Sequence, residues 1–134
     1  MLPVTGSMLS NQDERLVEEA RRIIALRKKP DWHSVGAALR TTSGLVFSAV
    51  HLEAKVGRIA VCAEAVAIGM GAAQGDTNIE AIVAVDKYGE VVAPCGMCRE
   101  LISDYSPDAR VIVPTQNGPM VVPVLDLLPN KYAG

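Results

Sequence analysis

Nine segments in the order α-β-β-α-β-α-β-β-α, five of them strands, predict a mixed α/β domain whose helices pack on a single sheet. Three observations carry this reading. Apolar residues recur at helical spacing over residues 16–24, an alanine-rich run over 62–74 has helix length, and several short apolar runs of strand length are bounded by turn residues.

Ser10 followed three places later by Asp13 is an N-cap signal that opens the first helix. Leu16, Ala20, Ile23 and Ile24 form its apolar stripe; Arg27, Lys28 and Lys29 suit the negative end of its dipole, and Pro30 stops it. That basic cluster reads as a solvated helix end, in preference to a nucleic-acid patch, because it is isolated in an acidic chain. Residues 35–41 and 44–50, joined through Thr42-Ser43-Gly44, read as a β-hairpin. Residues 62–74 form the second helix, with Gly75 as its stop. Residues 79–85 are continuously apolar, as a buried central strand requires. A short helix is expected from Cys95 to about Tyr105. Two strands, 110–113 and 120–124, flank the Asn117-Gly118 turn, and a last helical turn over 124–128 precedes Pro129.

The 134 residues suffice for one domain with a sizeable core, with residues 1–9 expected to be a disordered tail. A net charge of -2 gives no broad attraction to nucleic acid or anionic lipid. No apolar run reaches the roughly 18 residues of a membrane span, and MLPVTGSMLS lacks the pattern of a signal peptide. Three cysteines in such a chain argue for a reducing, cytoplasmic setting over a disulfide framework.

Those cysteines carry the functional signal. Cys62 opens the second helix, and Cys95 and Cys98, directly after Pro94, open the third. Helix N-termini offer free N–H groups and a positive dipole end, both of which favour thiolates. Three thiolates meeting there would hold Zn²⁺ and leave a fourth position open, the pattern of a catalytic site. A redox Cys-x-x-Cys pair and plain core cysteines are also compatible with the spacing. Glu64 lies on a different helix face from Cys62, which disfavours it as a ligand and leaves it free to move a proton. It also fits an ordinary first-turn glutamate stabilised by the helix dipole.

Cys62-Ala63-Glu64, thirty residues, then Pro94-Cys95-x-x-Cys98 resembles the signature of the zinc-dependent nucleoside and nucleobase deaminases. A cysteine as first ligand resembles the small cytidine deaminases and the blasticidin S deaminases. HSVGAAL, GLVFSAVHLE, CGMCREL and LLPNKY extend the likeness over roughly residues 10–132. The resemblance implies a three-layer α/β/α fold with a mixed five-stranded sheet. It implies Zn²⁺ on Cys62, Cys95 and Cys98, with Glu64 as proton shuttle in hydrolytic deamination of a cytosine nucleoside to the uracil form. Backbone at Ala63 and Ala93 would contact the pyrimidine edge. It further implies a small nucleoside as partner and a homotetramer, or dimer, with shared active sites. The alternatives are a deaminase of an analogue such as blasticidin S, or a non-catalytic zinc-binding relative.

The sequence departs from that family in three places. The usual Asn-x-Glu that reads ribose is His51-Leu52-Glu53, and the aromatic base-stacking position falls on His33. The arginine often found three residues after the first cysteine is Ala65, so a three-thiolate zinc site relies on the helix dipoles, with Arg99 and Arg58 as nearby candidates. Gly69 and Gly71, inside the second helix, suit either tight packing on the chain's own sheet or close approach of subunits.

Overall fold

The computed structural model describes residues 6–134. The first helix, α1 (Asn11–Arg27), opens as its sequence dictates: the Ser10 hydroxyl accepts from the Asp13 N–H and the Asp13 carboxylate accepts from the Ser10 N–H, both at 3.1 Å. The strands are β1 (Val35–Thr41), β2 (Val46–Val50), β3 (Ile79–Asp86), β4 (Val91–Val92), β5 (Arg110–Val113) and β6 (Met120–Pro123). Helices α2 (Ala63–Ala73) and α3 (Gly96–Tyr105) complete the architecture, with short 3-10 turns at Gly57–Ile59 and Val124–Leu127. The last of these stands where a helical turn over 124–128 is expected.

The sheet runs β2-β1-β3-β5-β6 and is mixed: β3 and β5 pair in parallel, and the other pairs are antiparallel. It has six strands, one more than the sequence predicts. The extra strand, β4, pairs antiparallel with β3 through Ala84↔Val92 and Val85↔Val91. Two residues are too few to show an alternation, and β4 is therefore silent in the sequence.

Burial on both faces explains the continuous apolar strands. Leu39, Ile82, Val111 and Val122 pack against Ala67, Ile68 and Ile102 of α2 and α3, while Ala38, Val83, Ile112 and Val121 pack against Leu16, Val17, Ala20 and Ile24 of α1. The period-2 alternation thus feeds two cores, and the molecule has three layers, α/β/α. Gly36 sets the first spacing: a Cβ there would meet the Ala20 carbonyl at 2.7 Å and Ile24 Cβ at 2.9 Å, so only glycine lets α1 lie this close on β1. Of the tail expected over 1–9, residues 1–5 lie outside the described residues. Ser7 is not free: it exchanges backbone hydrogen bonds of 2.9 and 2.8 Å with Val121 and covers the edge of β6.

Candidate metal centre and substrate cavity

Cys62 and Cys95 are the N-cap residues of α2 and α3, each with extended backbone (ψ 148° and 168°) and no side-chain cap bond. Both helices therefore present their first N–H groups and positive dipole ends beside thiols. The start of α2 is seated by small residues. Ala63 is fully buried against Ala37 of β1 and Ala84 of β3, so the first turn of the helix rests almost on the sheet. The result is one cluster: Cys62 and Cys95 sulfurs stand 3.6 Å apart, and all three cysteine sulfurs lie within 4.8 Å of one another. Tetrahedral zinc with Zn–S bonds of about 2.3 Å places its sulfurs about 3.8 Å apart, so the trio fits the ion with little movement.

The thiols differ in their electrostatics. Burial works to raise the Cys95 pKa, but N–H groups of Cys98 and Met97 and the neighbouring thiols outweigh it, so the thiol lies below its ordinary value. Burial pushes the Cys62 and Cys98 thiols up; at Cys98 the nearby Glu64 and Cys62 charges add to it. A divalent metal would deprotonate coordinating thiols outright, including the two that burial keeps protonated. Arg99 does not supply that charge directly. Its Nε–H donates to the Pro94 carbonyl at 2.8 Å and a terminal N–H reaches the Leu127 carbonyl at 3.4 Å, so it ties the cysteine loop to the C-terminal turn. Arg58 is exposed on the Gly57–Ile59 turn.

Beside the thiols lies a cavity of about 230 Å³. That is below the roughly 300–1,000 Å³ typical of drug-sized ligands and suits a small single-ring compound. Cys62, Cys95, Glu64 and His51 line it together with the small and aliphatic residues Val35, Ala60, Val61, Ala63, Ala84, Val92 and Ala93. Glu64 is 5% exposed, and burial pushes its pKa up.

Of the residues singled out in the sequence, the structure brings Cys62, Cys95, Glu64, Ala63, Ala93 and His51 to one cavity, with Cys98 buried behind it as the third sulfur of the cluster. His33 and Glu53 are not among its lining residues. His33 Nδ1–H donates instead to the His51 carbonyl at 2.8 Å, and a Glu53 carboxylate oxygen stands 3.9 Å from His51 Nε2. The sequence reading missed the aliphatic wall. Val61 and Val92 flank named residues and were within reach, but Val35 and Ala84 enter only through strand pairing.

Residues 10–115 match the family model of the cytidine and deoxycytidylate deaminase zinc-binding region. The chain belongs to that family. It is accordingly a zinc-dependent deaminase, and Cys62, Cys95 and Cys98 are its residues positioned to hold the metal. Among similar proteins of this deaminase family, the blasticidin-S deaminase of Bacillus cereus is 47% identical over 133 residues, covering 92% of this chain and 94% of that one. The cytidine deaminase of Halalkalibacterium halodurans is 30% identical over 100 residues, 73% of this chain and 76% of its own. Among solved structures, the cytidine deaminase of Mycobacterium leprae superposes with a TM-score of 0.79 at 28% identity, over 91% of this chain and all of that one, 100%.

Proposed function

We propose that the protein hydrolyses the 4-amino group of a cytosine nucleoside, cytidine or deoxycytidine, giving the uracil form and ammonia. The observation that carries this reading is the buried Glu64 in one small cavity with Cys62 and Cys95 of the thiol cluster. When bound, zinc acts as a Lewis acid and brings the pKa of a water molecule from 15.7 down to about 7. The Glu64 carboxylate takes one proton of the attacking water and delivers it to ring N3 as oxygen bonds to C4. It then takes the proton of the new C4 hydroxyl and gives it to the amine, which leaves as ammonia while the C4 carbonyl forms. The Ala63 and Ala93 backbone meets the polar edge of the ring, and the aliphatic wall holds its faces and keeps out other water. In this reading His51, at the cavity, and Glu53 beside it meet the substituent on the ring.

A second reading is favoured by two observations: the 47% identity to a blasticidin-S deaminase and the histidine at position 51. Under it the ring is still cytosine, but the physiological substituent is that of an analogue. An ammonia-release screen over cytidine, deoxycytidine, blasticidin S and adenosine separates the cases. Ammonia from the cytosine compounds only is expected, and their ranking chooses between the readings. Ammonia from adenosine alone, or from none, contradicts both.

Assembly belongs to the same proposal. Leu45, Val46 and Met70 are 42–48% exposed on one face of β2 and α2, beside the open Gly69. Such a face supports a homotetramer or dimer with shared active sites. The three free thiols suit a reducing, cytoplasmic setting. Among the described residues no helix is long and apolar enough to cross a membrane.

A further inference from the structure

Seen from solvent, the three thiols are not equivalent. Cys95 is exposed and begins the exposed run Cys95-Gly96-Met97, between buried Pro94 and buried Cys98. Cys62 is half-buried and lines the cavity beside it. Cys98 is 2% exposed and belongs to the core that holds Ala67, Ile68 and Ile102. Cys62 and Cys95 are helix N-caps whose side chains make no cap bond, so neither sulfur is spent on holding its helix. Their sulfurs stand 3.6 Å apart, and a disulfide of about 2.05 Å needs them to close by about 1.5 Å. Room for that movement lies on the Cys95 side, where a Cβ built on Gly96 would meet nothing within 4 Å. The Cys-x-x-Cys spacing points instead to Cys95 and Cys98 as the oxidisable pair, but drawing the Cys98 sulfur out towards Cys95 would unpack the core around it.

We propose that Cys62 and Cys95 are a site of oxidative modification: a peroxide joins them as a disulfide across the starts of α2 and α3, which dismantles the metal centre and leaves Cys98 a thiol. An accessible thiolate with a second, resolving sulfur beside it is the arrangement that stops oxidation at a reversible stage. The Cys95 thiolate attacks one oxygen of hydrogen peroxide, the O–O bond breaks, and the leaving hydroxide takes a proton from solvent to become water. Cys95 now carries S–OH. The Cys62 thiolate attacks that sulfur, the S–S bond forms as the S–O bond breaks, and the second hydroxide leaves as water on taking another proton. The two thiolates have given up two electrons in all, and the peroxide is reduced to two waters. Neither sulfur then offers the negative charge that binds the ion, and Cys98 alone is too few ligands to keep it. A thiol reductant restores both thiolates, so the modification is reversible in a reducing setting. The inference concerns the metal centre and is independent of which substrate fills the cavity.

The experiment exposes the full-length, zinc-loaded protein to hydrogen peroxide and takes three readings. Zinc release is followed with a chromogenic chelator, thiols are counted after denaturation, and disulfides are mapped in peptides prepared without reduction. About one zinc per chain should be released while two of the three thiols disappear. The map should show peptides joined through Cys62 and Cys95, with Cys98 alkylated as a free thiol. Excess dithiothreitol followed by zinc should return all three thiols and the metal. A link between Cys95 and Cys98, a link between two chains, or sulfinic acid on Cys95 with no link overturns the proposal. So does zinc that stays bound over three intact thiols at peroxide concentrations that oxidise free cysteine.

Discussion

At the scale of single residues, the proposed function gives Glu64 the proton transfer. It is buried beside the thiol cluster with no cation partner among the described residues, so its position is costly unless something uses it. Glu64→Gln keeps the shape and removes the base. The expected result is a protein with its zinc intact and turnover lower by at least roughly 10²-fold, the usual scale of a general acid–base group. Zinc analysis and kcat on the best substrate check this together; wild-type turnover in the variant would point to a different proton carrier. The place of Glu64 beside the thiols was legible in the sequence, because a residue two places after a cysteine at a helix start lies in the same first turn. The bond from the Ser34 N–H to His51 Nδ1 was not legible, because its donor is a backbone N–H, which every residue but proline has.

At the scale of elements, the two glycines of α2 turn out to have different reasons. Gly71 is packed inside the chain: a Cβ there would meet the Asp76 carbonyl at 2.5 Å and the Phe47 ring at 3.6 Å. Gly71→Ala should therefore cost about 1–3 kcal/mol in denaturant unfolding, the range of an overpacked site. Nothing lies within 4 Å of a Cβ at Gly69, so Gly69→Leu in an isolated chain should be tolerated, with a helix-propensity gain of up to about 1 kcal/mol. If α2 meets a second copy there, the same variant breaks the contact, and light scattering should show a fall in mass. A variant that keeps wild-type mass and is simply more stable would remove α2 from the interface. Sequence alone could not divide the pair, since both glycines break the same helix rule and only the Asp76 loop and the Phe47 ring distinguish them. The capping box at Ser10 and Asp13 and the Gly118 turn are local signals, and these were read without error. Strand β4 depends wholly on its partner β3, and nothing local announces it.

The whole molecule is braced, away from the thiol cluster, by an ionic group that joins α1 to three strands. Asp13, 1% exposed, lies 3.0 Å from an Arg40 nitrogen and 3.6 Å from one of Arg110, and Arg40 also reaches Glu80 at 3.1 Å. Burial alone would raise the Asp13 pKa, but hydrogen bonds from Arg40 and Ser10 outweigh it and hold the carboxyl below its ordinary 3.8. A depressed folded-state pKa gives stability that is present above pH 3.8 and lost as pH falls through the folded value. Arg40→Leu leaves the Asp13 charge with only the more distant Arg110 and should cost up to about 3–5 kcal/mol at pH 7, the range of broken buried pairs. The deficit should shrink near pH 3, where the stranded carboxyl is protonated; an equal deficit at both pH values would show that packing, not charge, is what Arg40 contributes.

The central claim is that zinc on Cys62, Cys95 and Cys98 drives the deamination. The most direct measurement strips the metal with a chelator under reducing conditions and follows cytosine-nucleoside deamination while zinc is titrated back. Activity should vanish in the stripped protein, return in proportion to added zinc and saturate at about one ion per chain, as the three thiols cease to react with a thiol reagent. Full activity without metal, or saturation with all three cysteines still freely reactive, would contradict it.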